Sequence, residues 1–142
     1  MAANAAVEAL HNAGIPVIVA AGNDGGDACQ FSPASAYSAI TVAASDKWDK
    51  KLQQPASNDG SCVNVIAPGY VVLSAYIGSD SSLAYMSGTS MAAPHVAGMI
   101  AIFMSRINIP MQYMKLYLDW RSTKDIMLGF SDSTPNRMLY GL

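Results

Sequence analysis

MAANAAVEALHNAGIPVIVAAG, residues 1–22, changes hydrophobic pattern at Gly14, and that change decides the fold class. Ala2–Ala13 is dense in strong helix formers, and Ala3, Ala6, Val7 and Leu10 fall on one face of a helical period. Gly14 stands where a helix C-terminal cap belongs. The run that follows, IPVIVAAG, is continuously apolar, of strand length, rich in Val and Ile, and closed by glycine. A helix feeding such a run is half of a βαβ unit. Strands apolar on both faces belong to parallel sheets with helices covering each side.

Outward from that stretch, Ala39–Ala44 (AITVAA) and Cys62–Ala67 (CVNVIA) are further strand candidates, each bounded by turn-forming residues. Asp46–Gly60 between them is polar and reads as loop. Val71–Ile77 and Leu83–Met86 flank GSDSS and read as a hairpin. Gly88-Thr89-Ser90 then leads into MAAPHVAGMIAIFMSRI, an apolar helix expected to be buried all round, with Pro94 tolerated in or near its first turn. A helical stretch is plausible over Met111–Trp120. The expected architecture is α/β with a mostly parallel sheet.

With 142 residues the chain has room for one domain and not two. Hydrophobic residues make up 51% and charged residues 13%, which excludes a disordered chain. The formal net charge is −2 and the only basic cluster is Lys47, Lys50 and Lys51, so nucleic-acid binding has no electrostatic footprint. The longest apolar stretch, around Met99–Met104, falls far short of the ~20 residues of a membrane span. The first residues carry neither a basic n-region nor a continuous h-region, so they are not read as a signal peptide. They read as a helix in the middle of something longer.

Two strings carry chemistry. GTSMAAPHVAG, Gly88–Gly98, places Ser90 at the start of an apolar helix, where backbone N–H groups and the helix dipole favour negative charge. On spacing alone Ser90 reads either as an N-cap or as an acyl-transfer nucleophile. His95 is no base for it: five residues on, a helix carries it roughly 140° around the axis. The second string, Ala20-Ala21-Gly22-Asn23, ends a strand and opens a polar loop. Asn23 there is either a turn asparagine or an amide presented at the carboxyl edge of the sheet, where open α/β sheets bind ligands. His11 reads as a surface or helix-packing residue.

GTSMAAPHVAG resembles the nucleophile signature of the subtilase family, and AAGN resembles that family's oxyanion-hole segment. FSPAS (31–35), TVAASD (41–46), SNDGS (57–61), APG (67–69) and TPNRMLY (134–140) resemble proteinase K-type members in the expected order, extending the likeness over residues 2–140. The resemblance implies the C-terminal portion of a three-layer subtilisin-like fold. It also implies a serine endopeptidase acting on peptide or protein substrates as a monomer, with no cofactor required for the chemistry. It casts Ser90 as nucleophile, Asn23 as oxyanion donor, His95 as structural, and Ala20, Ala21, Gly22 and Thr89 as substrate-binding.

The resemblance also pairs Cys29 with Cys62 in a disulfide, which implies an extracellular or other oxidising compartment. A bridge closing that loop could contribute roughly 3.7 kcal/mol on a chain-entropy argument. Relatives bind structural calcium through carbonyls matching Tyr37 and Ala39 and a carboxylate whose position here is held by Asn64. The neutral amide gives up the charge that supplies much of calcium's affinity. In the family the triad runs Asp, His, Ser along the chain. No Asp-Thr-Gly, Asp-Ser-Gly or His-Gly-Thr occurs here, so the partial domain is expected to be inactive alone. The alternatives are a non-catalytic remnant, a peptide-binding fragment, or one half of a split protease.

Overall fold

The computed structural model describes residues 1–141. Helix α1 (Ala2–Asn12) is followed by strands β1 (Ile18–Ala20), β2 (Ile40–Ser45) and β3 (Val65–Pro68). A hairpin of β4 (Val72–Ala75) and β5 (Leu83–Met86) comes next, and then helices α2 (Thr89–Arg106) and α3 (Met114–Arg121). Two short strands, β6 (Thr123–Lys124) and β7 (Arg137–Met138), close the order. The main sheet runs β1-β2-β3-β7-β6. β1, β2, β3 and β7 are parallel, and β6 is antiparallel at the far edge. The β4–β5 hairpin forms its own antiparallel pair.

The alternation of side chains along β2 and β3 makes the layers. Val42 and Ala44, with Val65 and Ala67, point to one face and meet Ala92, Val96, Ile100 and Phe103 of α2 and Met114 and Leu118 of α3. Ala43 and Ile66, one residue out of phase, point to the other face and meet Ala28, Ala34 and Met127. α1 sits on that second side, with Val7 packed against Val19, Ala36 and Ala39. Every residue of β2 is buried, as a strand covered on both faces requires. Phe103 is 2% exposed and meets Tyr117 edge-to-face at 4.9 Å between ring centroids. Phe103→Ala is expected to cost about 3–5 kcal/mol, read from the midpoint of denaturant unfolding.

Four expectations need correction. The apolar run at 15–22 forms strand only over Ile18–Ala20, because β1 is an edge strand paired on one side alone. α2 is not buried all round: Thr89, Ala92, Val96, Ile100 and Phe103 form a buried stripe, whereas Ile102 and Met104 are exposed. The helix lies on one face of the sheet, and its apolar outer side is uncovered. Pro94 is its sixth residue, past the first turn, and removes the bond that the Ser90 carbonyl would accept from an N–H there.

The fourth correction concerns α1. Of the expected face only Val7 is buried, and Ala3, Ala6 and Leu10 are exposed. The side turned inward is Asn4, Val7, Glu8 and His11, because the segment it meets is rich in hydroxyls. Asn4 donates to Ser35 Oγ at 3.0 Å and accepts from the Ser32 hydroxyl, while Glu8 accepts from the Ser38 N–H and hydroxyl. Those two hydrogen bonds, the hydroxyl's first, hold the Glu8 carboxyl below the usual carboxylate range.

The remaining elements fall near their expected places. The hairpin lies within its anticipated bounds, and the stretch at 111–120 is a 3-10 turn (Met111–Tyr113) running into α3. The β6–β7 pair had no sequence signal. No helix among the described residues is long and apolar enough to cross a membrane.

Candidate active site

Ser90 lies in the first turn of α2 and is exposed. Gly88 holds the N-cap position and has no side chain to cap the helix. The hydroxyl of Ser90 is therefore not spent on the helix end, which removes the N-cap reading. Its location at the N-terminus of an 18-residue helix sets it where the dipole favours an anion.

Asn23 is exposed in the turn that leaves the carboxyl end of β1. Its Oδ1 accepts from the Thr89 backbone N–H at 2.9 Å and from the Thr89 hydroxyl at 3.1 Å. A backbone N–H can only donate, so the atom facing it must be the amide oxygen. This fixes the orientation of the amide and leaves Nδ2 as its remaining, donor side. Thr89 is fully buried, and its Oγ1 also accepts from the Gly22 N–H at 3.2 Å. Its hydroxyl thus ties the Ala21–Asn23 turn to the start of α2.

The turn itself is wrapped around a residue that the sequence reading passed over. Asn58, fully buried, accepts through Oδ1 from the N–H groups of Asp24 and Gly26, both at 2.9 Å. Its Nδ2 donates to the Ala21 carbonyl at 3.0 Å, and its own N–H donates to the Gly22 carbonyl at 2.8 Å. Buried Ser57 supports it by donating to the Asn58 carbonyl and accepting from the Ala44 N–H. Asn58 lies inside the SNDGS string, but nothing local to that string announces a partner 37 residues earlier.

Ala20 and Gly22 are half-buried beside Asn23, while Ala21 is wholly buried, with its N–H donating to the Val42 carbonyl. His95 donates within its own helix, Nδ1 lying 2.8 Å from the Met91 carbonyl; as a carbonyl only accepts, Nδ1 carries the proton. No hydrogen bond among the described residues joins His95 to Ser90. Both residues border an open groove of about 430 Å³ between α2 and the β4–β5 hairpin, walled by Leu73, Met86 and Met91. His11 lies on α1, half-buried.

Cys29 and Cys62 form a disulfide with Cα atoms 5.3 Å apart. It links the segment after the Asn23 loop to the approach of β3. On the opposite flank, the Lys115 ammonium donates to the Tyr37 carbonyl at 2.6 Å. Burial pushes the Lys115 ammonium below its usual range, with Glu8 pulling the other way. Asn64 Oδ1 accepts from the Thr41 N–H at 2.9 Å, and Ala39 is buried.

A mostly parallel α/β sheet with an exposed serine in the first turn of α2, and an asparagine in the turn after β1 tied to that helix start, belongs to a subtilisin-like fold. The chain belongs to the subtilase family, whose Peptidase_S8 model matches residues 2–137. It is 46% identical to cerevisin of Saccharomyces cerevisiae over 153 residues, covering 99% of this chain and 23% of that protein. It is 53% identical to the subtilisin-like serine protease Rho m 2.0101 of Rhodotorula mucilaginosa over 100 residues, covering 70% of this chain and 29% of the relative. Among solved structures it superposes on a cold-adapted subtilisin-like serine proteinase with a TM-score of 0.87 at 35% identity, covering 98% of this chain and 50% of that one. The chain thus spans half the length of that solved relative and less than a third of the two curated ones.

Proposed function

We propose that this chain is the nucleophile-bearing part of a serine endopeptidase. Ser90 attacks the scissile carbonyl, and the Asn23 Nδ2 and the Ser90 backbone N–H stabilise the oxyanion that results. The observation that carries the reading is the double hydrogen bond from Thr89 to Asn23 Oδ1, which leaves the amide only its donor side to offer. Ala20 and Gly22 form one wall of the pocket for the residue before the cut; Ala21 and Thr89, which the resemblance casts as substrate-binding, are wholly buried, and Thr89 instead positions Asn23 from beneath. A histidine and an aspartate supplied by segments outside this sequence complete the triad. The Cys29–Cys62 bridge favours an extracellular or other oxidising compartment.

Without a base, the Ser90 alcohol stays protonated at neutral pH. The 142-residue chain alone is therefore expected to leave a chromogenic peptide uncleaved. The same chain, supplied with a polypeptide carrying the Asp-(Thr/Ser)-Gly and His-Gly-Thr segments, is expected to cleave it, and Ser90→Ala to remove that activity. Cleavage that persists in Ser90→Ala sinks the assignment of the nucleophile. Robust Ser90-dependent cleavage by the chain alone sinks the need for a supplied base.

A further inference from the structure

Three elements converge on the flank opposite the Ser90 groove: Glu8 and His11 on α1, the loop through Tyr37 and Ser38, and Lys115 on α3. His11, Tyr37, Ser38 and Lys115 border a cavity of about 430 Å³ that also touches Asn64. The family resemblance would place a calcium ion here, between the carbonyls of Tyr37 and Ala39 and the side chain at position 64. The residues present do not fit one. The Tyr37 carbonyl already accepts from the Lys115 ammonium. Residue 64 is a neutral amide, and its oxygen is committed to the Thr41 N–H. The described residues contain no group of three or more His, Cys, Asp or Glu able to hold a metal. Calcium takes 6–8 oxygen ligands and draws much of its affinity from carboxylates, so a neutral set with a fixed cation inside it is a poor host.

The substitutions at the two positions are matched in charge. A dication beside a carboxylate leaves one net positive charge, and so does an ammonium beside an amide. We propose that Lys115 is this chain's resident cation at the position, its ammonium taking the Tyr37 carbonyl in place of a divalent ion. Asn64 is the companion change that keeps the local charge constant. Lys115 also lies 5.6 Å from the centroid of the Tyr37 ring, so the same side chain caps the loop from two directions. The consequence is a flank fastened through the chain itself, indifferent to calcium, where the family pattern would make it calcium-dependent.

The test uses the 142-residue chain, with calcium and terbium(III) as probes; the Tyr37 ring, 90% exposed, serves as the sensitiser of terbium luminescence. The wild type is expected to show the same Tm in millimolar calcium and in chelator, and no sensitised terbium signal. Lys115→Met, which keeps the stem but removes the charge, is expected to bind terbium at least tenfold more tightly than the wild type. Lys115→Met with Asn64→Asp is expected to gain a calcium-dependent rise in Tm, or to fold only when calcium is present. A wild-type Tm that rises with calcium overturns the proposal. So does a Lys115→Met chain with no gain in terbium affinity, or a double variant that is indifferent to calcium, folded or unfolded.

Discussion

Asn23→Ala, in the chain supplied with its histidine and aspartate, is expected to lower kcat by about 10²–10³ while leaving KM nearly unchanged. That magnitude is carried over from removal of the corresponding donor in subtilisin, a relative of this chain. The split between kcat and KM is the informative part. Negative charge on the carbonyl oxygen develops only on the way to the tetrahedral intermediate, so a donor aimed at it stabilises the transition state more than the bound substrate. Asn23 is suited to this because Thr89 holds its oxygen from both the backbone and the side chain, leaving no rotation by which Nδ2 could turn inward without losing two hydrogen bonds. Thr89→Val removes one of those bonds and the acceptor for the Gly22 N–H. It should lower kcat by less than Asn23→Ala does, and Thr89→Ser should restore it. An Asn23→Ala enzyme that loses affinity and not turnover would count against the oxyanion role.

Gly22→Ala is expected to cost about 3–5 kcal/mol and to abolish any activity the complemented chain has, because two penalties add. Gly22 adopts φ +102°, a conformation that L side chains rarely occupy. A Cβ there would also stand 2.4 Å from Asn58 Nδ2, so the amide must move. Moving it surrenders the bonds to Ala21, Asp24 and Gly26, each worth roughly 1 kcal/mol net and more when a buried group is left unpaired. Gly14→Ala is the control: φ is +81° there too, but nothing lies within 4 Å of the added carbon. It should show the backbone penalty alone, about 1–2 kcal/mol. Equal losses at the two positions, measured by denaturant unfolding, would mean that the clamp made by Asn58 contributes nothing.

Much of this molecule was legible in its sequence because the signals are local. The switch of period at Gly14, the paired apolar runs that became β2 and β3, and the hairpin around GSDSS each need only neighbouring residues to declare themselves. Ser90 and Asn23 were found for the same reason, lying in short strings at the two places where an α/β sheet presents side chains. Even so, the hydrophobic face of α1 pointed the wrong way. Counting apolar residues favours Ala3, Ala6 and Leu10, but the helix meets hydroxyls at Ser32, Ser35 and Ser38 and turns Asn4 and Glu8 toward them. The burial of α2 was overread in a similar way, since an apolar composition does not say how many sides have neighbours.

What the tertiary structure alone decided are contacts between segments far apart in the chain. Thr89 reaches Asn23 across 66 positions, and Lys115 reaches Tyr37 across 78. Asn58, unremarked in its own string, became the support of the Asn23 turn only when the parallel register of β1 on β2 brought the loops after them together. Sequence determined the α/β class and most of the strand and helix segments, and it singled out Ser90 and Asn23 as candidates, because periodicity and motif are properties of adjacent residues. Which way the amide points, and which cation a flank holds, depend on the sheet's register and on the packing of α2 and α3, and those exist only once the chain has folded.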